Sequence, residues 1–235
     1  MKYLIRFITC IMLFLCSSAH AASPSRVLAT YDIYKGGLKI GQIEETFARD
    51  KDHYTIISTT RAAGLLKLFK PGKIIISSSG LIGQRGLQPL FFSDVREGDE
   101  KRNRSAEFDW NAKQLTMIQQ ARRNMVPLPD GTQDRLSAMY QLMYLPLEKI
   151  DTLNFNMTNG GKLDLYNYRI TADQSIKIPL GTFKATYAAS VPEAGKNRTE
   201  IWLAAEHNNF PYKMVVTDPD GGELIQELTK FEIVP

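Results

Sequence analysis

From Val27 onward the chain alternates apolar and polar residues with a period of two, the repeat that turns one face of an extended segment inward. Within 39–49, Gly41, Ile43 and Phe47 share one face while Glu44 and Thr46 take the other. The same alternation predicts strands at 27–35, 53–61, 73–82, 88–96, 104–110, 113–119, 152–158, 162–171, 174–179, 183–191, 198–205, 211–217 and 223–233. Lys35-Gly36-Gly37, Arg49-Asp50-Lys51-Asp52, Asn159-Gly160-Gly161 and Asp218-Pro219-Asp220-Gly221-Gly222 separate some of them. Gly, Asn and Asp tolerate the positive φ of tight hairpins, and hairpins join antiparallel neighbours; parallel pairing would need a series of long crossovers that the chain lacks. The expected fold is mainly β, an antiparallel curved sheet forming a barrel or half-barrel. Gly41, Gly86 and Gly181 are its expected corners, because glycine inside a strand admits a bulge or bend.

One segment departs from period two. Leu136, Met139, Tyr140 and Met143 stand at i, i+3, i+4 and i+7, which lines one face of a helix, with Thr132 placed to cap it and Pro146 to stop it. One main helix near 132–145 is therefore expected, covering a mouth or the open side of the sheet. Residues 40–46 and 180–186 echo each other across it, but two strands with a glycine at a bend produce the same matches without any repeat.

The first residues follow another grammar. Met1 to Arg6 carries two positive charges, 7–16 is apolar apart from Thr9, and Ala19-His20-Ala21 has the small-x-small form cut by signal peptidase. The apolar run is about half the ~20 residues that span a bilayer. Residues 1–21 are thus expected to be a signal peptide cleaved after Ala21, sending 22–235 to the periplasm as a single β-rich domain. Cys16 fits poorly as a lipid-attachment site because Phe14 and Leu15 before it are bulky. Losing Lys2 and Arg6 takes the formal net charge from +4 to +2, too little field to steer the chain onto nucleic acid. Cys10 and Cys16 leave as well, removing disulfides, thiol catalysis and cysteine metal sites. With 43% hydrophobic and 23% charged residues the composition is globular, and a chain of this length can bury a sizeable core without staples.

Catalytic signatures are missing: there is no Gly-x-Ser-x-Gly elbow, no His-Glu-x-x-His, no phosphate loop and no Gly-x-Gly-x-x-Gly. His53 follows a charged turn and His207 lies in a polar loop, settings of surface histidines rather than of a base held by a partner. Asp218, Asp220 and Gly221 look like half a calcium loop, yet the later ligands of an EF-hand are out of register. No catalytic residue, metal site or cofactor is assigned. Asn103, Asn156 and Asn197 begin sequons that matter only in a glycosylating pathway.

Two stretches invite a binding role. Gly64 to Gly72 sets Leu65, Leu66, Leu68 and Phe69 among Lys67 and Lys70, suited either to packing inward or to peripheral contact with a membrane. Arg96, Lys101, Arg102 and Arg104 precede Phe108-Asp109-Trp110, with Arg122 and Arg123 beyond. They form either a cationic strip for phosphate or carboxylate groups or, with Glu97, Asp99, Glu100 and Glu107, a solvated face of mixed charge.

The order Tyr31-Asp-Ile-Tyr34, Gly37, Gly41, Arg61-Ala-Ala-Gly64, Ser79-Gly80, Gly86-Leu-Gln-Pro89, Arg96, Phe108-Asp-Trp110, Asp134-Arg-Leu-Ser137, Trp202-Leu203 and Pro211 resembles the bacterial exported-protein family catalogued as domain of unknown function 3108. The resemblance runs over nearly all of 22–235. It implies an exported, largely β protein of Gram-negative envelopes with no agreed activity. The family pattern sets an acidic residue between the Trp-Leu pair and the proline, a stretch that holds Glu206 and His207 here.

Three readings follow. The first is a non-catalytic binding or carrier module for an apolar or lipid-like ligand, with the 132–145 helix as lid. Its lining would be Phe47, Leu65, Leu68, Phe69, Phe92, Trp110, Met139, Met143 and Trp202, and its polar rim Arg61, Arg96, Arg102, Arg104, Asp134 and Arg135. The second is a structural or interaction protein with a filled barrel, docking an envelope protein through 64–72 or 96–104. The third is a hydrolase using His53 or His207 with Asp134 or Glu206. Cavity volume separates the first two.

Overall fold

The computed structural model describes residues 26–64, 67 and 72–234. The signal-like segment 1–21, and Leu65, Leu68 and Phe69, lie outside the described residues.

Period-two alternation becomes strand almost everywhere it was read. The chain forms β1 (Arg26–Lys35), β2 (Leu38–Asp50), β3 (His53–Ala62), β4 (Lys73–Gly83), β5 (Gly86–Arg96), β6 (Arg104–Asp109), β7 (Gln114–Gln119) and β8 (Arg122–Pro127). Beyond these come β9 (Gln133–Asp134), β10 (Thr152–Thr158), β11 (Leu163–Ile178), β12 (Gly181–Ser190), β13 (Arg198–Ala204), β14 (Phe210–Thr217) and β15 (Glu223–Val234). The segments read as 162–171 and 174–179 are one strand, β11, whose register against β12 slips between Thr171 and Gln174. Two strands were not foreseen: β8 is exposed at every position except Val126, so it carries no alternation, and β9 is two residues long.

All fifteen strands belong to one sheet, ordered β8-β7-β6-β5-β4-β3-β2-β1-β15-β14-β13-β12-β11-β10-β9. Neighbours are antiparallel except β9 and β10, and β8 and β9 end the sheet without pairing to each other. The β9 end instead folds over the inner face of β4 and β5, giving a half-barrel wound like a scroll. Side chains fasten this seam. Ser78 Oγ donates to Asp134 Oδ2 at 2.6 Å. The Leu87 amide donates to Gln141 Oε1 at 2.6 Å, and the Leu87 carbonyl accepts from Gln133 Nε2 at 2.9 Å. Two glutamines therefore do for the Leu87 backbone what a neighbouring strand would have done.

The α-helix α1 (Ser137–Gln141) falls inside the expected segment and runs on as a 3-10 turn over Leu142–Tyr144 before Pro146. Its start is organised by Asp134, whose Oδ1 accepts the amides of Leu136 and Ser137 at 2.8 Å each. Thr132, the expected cap, instead donates its hydroxyl to the Pro129 carbonyl. Leu136 and Tyr140 are buried, and Met139 and Met143 half-buried, so the predicted apolar face is the one that packs.

The expected corners are found in different guises. Gly41 faces Ile33 next to a register shift, while Gly86 and Gly181 open β5 and β12 with positive φ. The tightest glycine in the sheet is Gly80, opposite Pro89 at a β4–β5 bulge, where a Cβ would fall 2.2 Å from the Gln88 carbonyl oxygen and 2.8 Å from Pro89 Cα. Both obstacles are backbone and cannot swing away. Gly80→Ala is expected to cost about 1–3 kcal/mol, measured as a lowered urea midpoint; an unchanged midpoint would mean that the bulge yields freely.

Candidate functional site

Strand registers decide what faces the inside. One inward rung runs straight across six strands as Ala29, Glu45, Ser58, Ile76, Asp94 and Arg104. The adjacent rung is Tyr31, Ile43, Thr60, Ile74 and Arg96. Charged residues thus occupy positions that the alternation assigns to the core. The seam delivers a further charge to the same layer, Arg135.

Asp94 is fully buried, and its Oδ2 lies 3.1 Å from Arg96 Nη2 and 3.6 Å from Arg135 Nη1. Burial pulls the Arg135 guanidinium below its ordinary pKa, Asp94 pulls it back, and Arg96 and Arg104 push it further down. Arg104 reaches this region because the Asn159-Gly160-Gly161 turn leaves it room. A Cβ on Gly160 would sit 3.0 Å from Arg104 Cβ, and one on Gly161 would sit 3.1 Å from Arg104 Nη1. Across the layer, Glu45 accepts from Ser58 Oγ at 2.9 Å and from the Tyr140 hydroxyl at 3.2 Å. Tyr31 donates to the Pro211 carbonyl at 2.9 Å.

Three cavities adjoin in series along this inner face. The first, 790 Å³, has Ile33, Ile40, Ile74 and Leu224 as apolar wall with Arg61, Lys73, Arg96 and Arg102 among the charged residues. The second, 120 Å³, shares Thr60 with it and is bounded by Tyr31, Ile43, Glu45, Arg135, Met139 and Met214. The third, 530 Å³, shares Arg135, Met139 and Met214 with the second, and adds Met157, Tyr166, Tyr168, Val191, Lys162 and Lys196. Each larger space lies within the range of ligand pockets, roughly 300–1,000 Å³. Arg135 stands where the second meets the third.

The sequence profile of a protein family described as "Protein of unknown function (DUF3108)" matches residues 30–229. The chain belongs to that family. Among solved structures, this DUF3108 chain is similar to a β-barrel-like protein of domain of unknown function DUF1849 from Brucella abortus. The two share 13% identity over 89% of this chain and 98% of the other, with a TM-score of 0.56, so the likeness is one of fold. A candidate lipoprotein from Parabacteroides distasonis aligns over 89% of this chain and 96% of its own at 10% identity and a TM-score of 0.39. No curated protein matches the chain.

Within the DUF3108 domain, the residues singled out from sequence are dispersed. Met139 and Arg135 line the second and third cavities, and Arg61, Arg96 and Arg102 the first. Phe47 and Phe92 are buried in the core, and Met143 packs against it. Trp110 donates its indole N–H to the Pro89 carbonyl and lines a separate 440 Å³ depression with Leu81, Leu90 and Phe108. Trp202 lies against Tyr187 with Lys213 Nζ 5.8 Å from its ring centre. Asp134 is in the seam. The run of arginines divides: Arg96 and Arg104 turn inward, whereas exposed Arg102 pairs with Asp99 at the rim of the first cavity and exposed Arg123 pairs with Glu107, at 3.6 Å each.

His53 pairs with Asp52 at an exposed turn, and His207 Nδ1 bonds the Tyr212 hydroxyl. Asp134 has Ser78, Leu136 and Ser137 as its partners instead of a histidine. The Asp218 carboxylate is occupied by the amides of Asp220 and Gly222. Among the described residues no three His, Cys, Asp or Glu side chains cluster as metal ligands.

Sequence reading missed Glu45, Asp94 and Met214. Parity was the available signal for the acids, since Asp94 follows Phe92 by two residues and so shares its inward face. Glu45 gives a test of this buried layer. Its burial raises the pKa above the ordinary 4.5, with the Ser58 and Tyr140 hydrogen bonds and the Arg135 charge holding part of the rise back. A raised folded-state pKa contributes stability that is complete below the unfolded value and disappears as pH rises through the folded one. Glu45→Gln resembles the protonated form, so its stability relative to wild type is expected to climb as pH rises from 4 through neutrality, read by thermal melts across pH. A difference independent of pH would show that Glu45 is not desolvated in the fold.

Proposed function

We propose that the protein is a non-catalytic binding or carrier module of the bacterial envelope whose inner face receives an elongated apolar or lipid-like molecule. The observation that carries this reading is the three adjoining cavities walled by Ile, Met, Leu, Val and Tyr. A scroll packed solid, as an interaction protein with a filled barrel would have, leaves no such series. The signal-like residues 1–21 support export to the periplasm, where apolar molecules need a carrier to cross water. α1 lies beside the second and third cavities through Met139, a position consistent with a lid.

The test is native mass spectrometry of the protein purified from a bacterial envelope fraction, followed by solvent extraction. A stoichiometric apolar molecule is expected, and it should be lost in Met214→Glu, which puts a charge into the wall shared by two cavities. A clean unliganded mass that persists after incubation with envelope lipid extract would overturn the reading.

A further inference from the structure

The polar layer between the cavities sets the guanidiniums of Arg96, Arg104 and Arg135 near the carboxylates of Asp94, Glu45 and Asp134. Only Asp94 forms ion pairs with them, because Glu45 is taken up by Ser58 and Tyr140 and Asp134 by Ser78, Leu136 and Ser137. The ion pairs of Arg96 and Arg135 both end on one oxygen of Asp94, and Arg104 makes no ion pair among the described residues. The Nε groups of Arg96 and Arg104 are buried without an acceptor. Asp94 Oδ1 and Gln133 Oε1 are buried without a donor, two acceptors against three guanidiniums that carry five N–H groups each. A charged group held inside a fold is costly unless it is hydrogen-bonded, so buried guanidinium N–H groups left without acceptors call for one. Two of the three guanidiniums are also reachable. The Arg135 side chain is 38% exposed and lines the second and third cavities, while Arg96 lines the first.

Resting on the binding reading above, we propose that this layer seats a single anionic head group, a carboxylate or a phosphate monoester, at the end of the apolar occupant. The planar fork of Arg135, which lines the second and third cavities, suits the paired oxygens of either group, Arg96 and Arg104 add positive charge nearby, and the head group supplies acceptors that Asp94 alone does not. The apolar tail then lies along the Met and Ile walls of the adjoining cavity. The ligand class is therefore an anionic single-headed amphiphile rather than a neutral lipid or sterol-like molecule.

The experiment uses protein produced from the full 235-residue sequence and measures displacement of a neutral naphthylamine probe by dodecanoate, dodecyl phosphate and dodecanol. At least one anion is expected to bind about tenfold or more tightly than the alcohol, as hydrogen bonds to charged groups require. Which anion wins identifies the head group. In Arg135→Gln that advantage should fall to about twofold or less while dodecanol binds as before. Should Arg135→Gln fail to fold, Arg135→Lys keeps the charge without the fork and should keep only part of the advantage. Equal binding of all three amphiphiles to wild type would overturn the head-group assignment and leave the carrier reading intact. An anion preference that survives undiminished in folded Arg135→Gln would place the head group elsewhere, again against the proposal. Binding of none of the three would sink the carrier reading and this inference together.

Discussion

Asp134→Ala is expected to remove about 3–5 kcal/mol of stability, a large share of the roughly 5–15 kcal/mol that holds a domain together. The carboxylate accepts one hydroxyl and two amides, from Ser78, Leu136 and Ser137, with none of its surface exposed. Because Ser78 donates its proton to Asp134, the Tyr54 hydroxyl must be the donor in its 3.1 Å contact with Ser78 Oγ. Alanine leaves that chain of donors without an end. It strips the first turn of α1 of its amide partners and cuts a tie between the β9 end of the sheet and β4. Asp134→Asn preserves the shape but turns one acceptor into a donor, and should cost roughly half as much. Urea unfolding followed by far-ultraviolet circular dichroism measures both; a loss below about 1 kcal/mol for alanine would mean that the seam is fastened elsewhere.

Tyr140→Ala should be comparably damaging, at about 3–5 kcal/mol, the range for deleting a buried aromatic ring. Tyr140 is fully buried on α1, stacked on Phe47 of β2 with ring centres 5.3 Å apart, and edge-on to Phe210 of β14 at 5.7 Å. It thus packs between strands on either side of the central β1–β15 pair, and its loss opens a cavity where the two halves of the sheet meet. Tyr140→Phe isolates the other contribution: it keeps the ring and removes only the hydroxyl that serves Glu45, and should cost roughly 1 kcal/mol. Equal effects from the two variants would show that the Glu45 hydrogen bond, and not the ring, is what the fold needs.

Much of the sheet was legible because a strand with one buried face writes its geometry into every second residue. Alternation located β10 to the residue and placed most others within two or three. It failed for β8, which half-buries only Val126 and is held mainly by backbone pairing to β7. It failed for β9 because two residues carry no period, although Gln133 and Asp134 are the ones that roll the sheet up. The candidate site was less legible than the fold. Large apolar residues such as Phe47 and Phe92 are read most easily, and they fill the core for the same reason that they stand out. A cavity wall is instead defined by which elements fail to touch, as with Met139 and Met214, and one strand pattern cannot encode that. The inward charges were within reach: Asp94 and Arg96 keep parity with Phe92, and parity identifies them as buried before any partner is known.

The pairing of β1 with β15 bears on how the molecule assembles. Every other pairing joins strands that follow each other in sequence, all of them antiparallel except β9 with β10, so each half of the sheet can zip up largely from local hairpins as chain becomes available. Arg26, by contrast, meets Val234, and this junction must wait for the last strand. Its entropic cost grows only slowly with loop length, but its timing is fixed. Until it forms, two long edges carrying Ile33, Tyr31, Leu228 and Ile225 stand open, the kind of edge that recruits another chain. The species most prone to aggregate is therefore one with both half-sheets built and not yet joined, so errors in assembly collect at a single joint in the middle of the sheet.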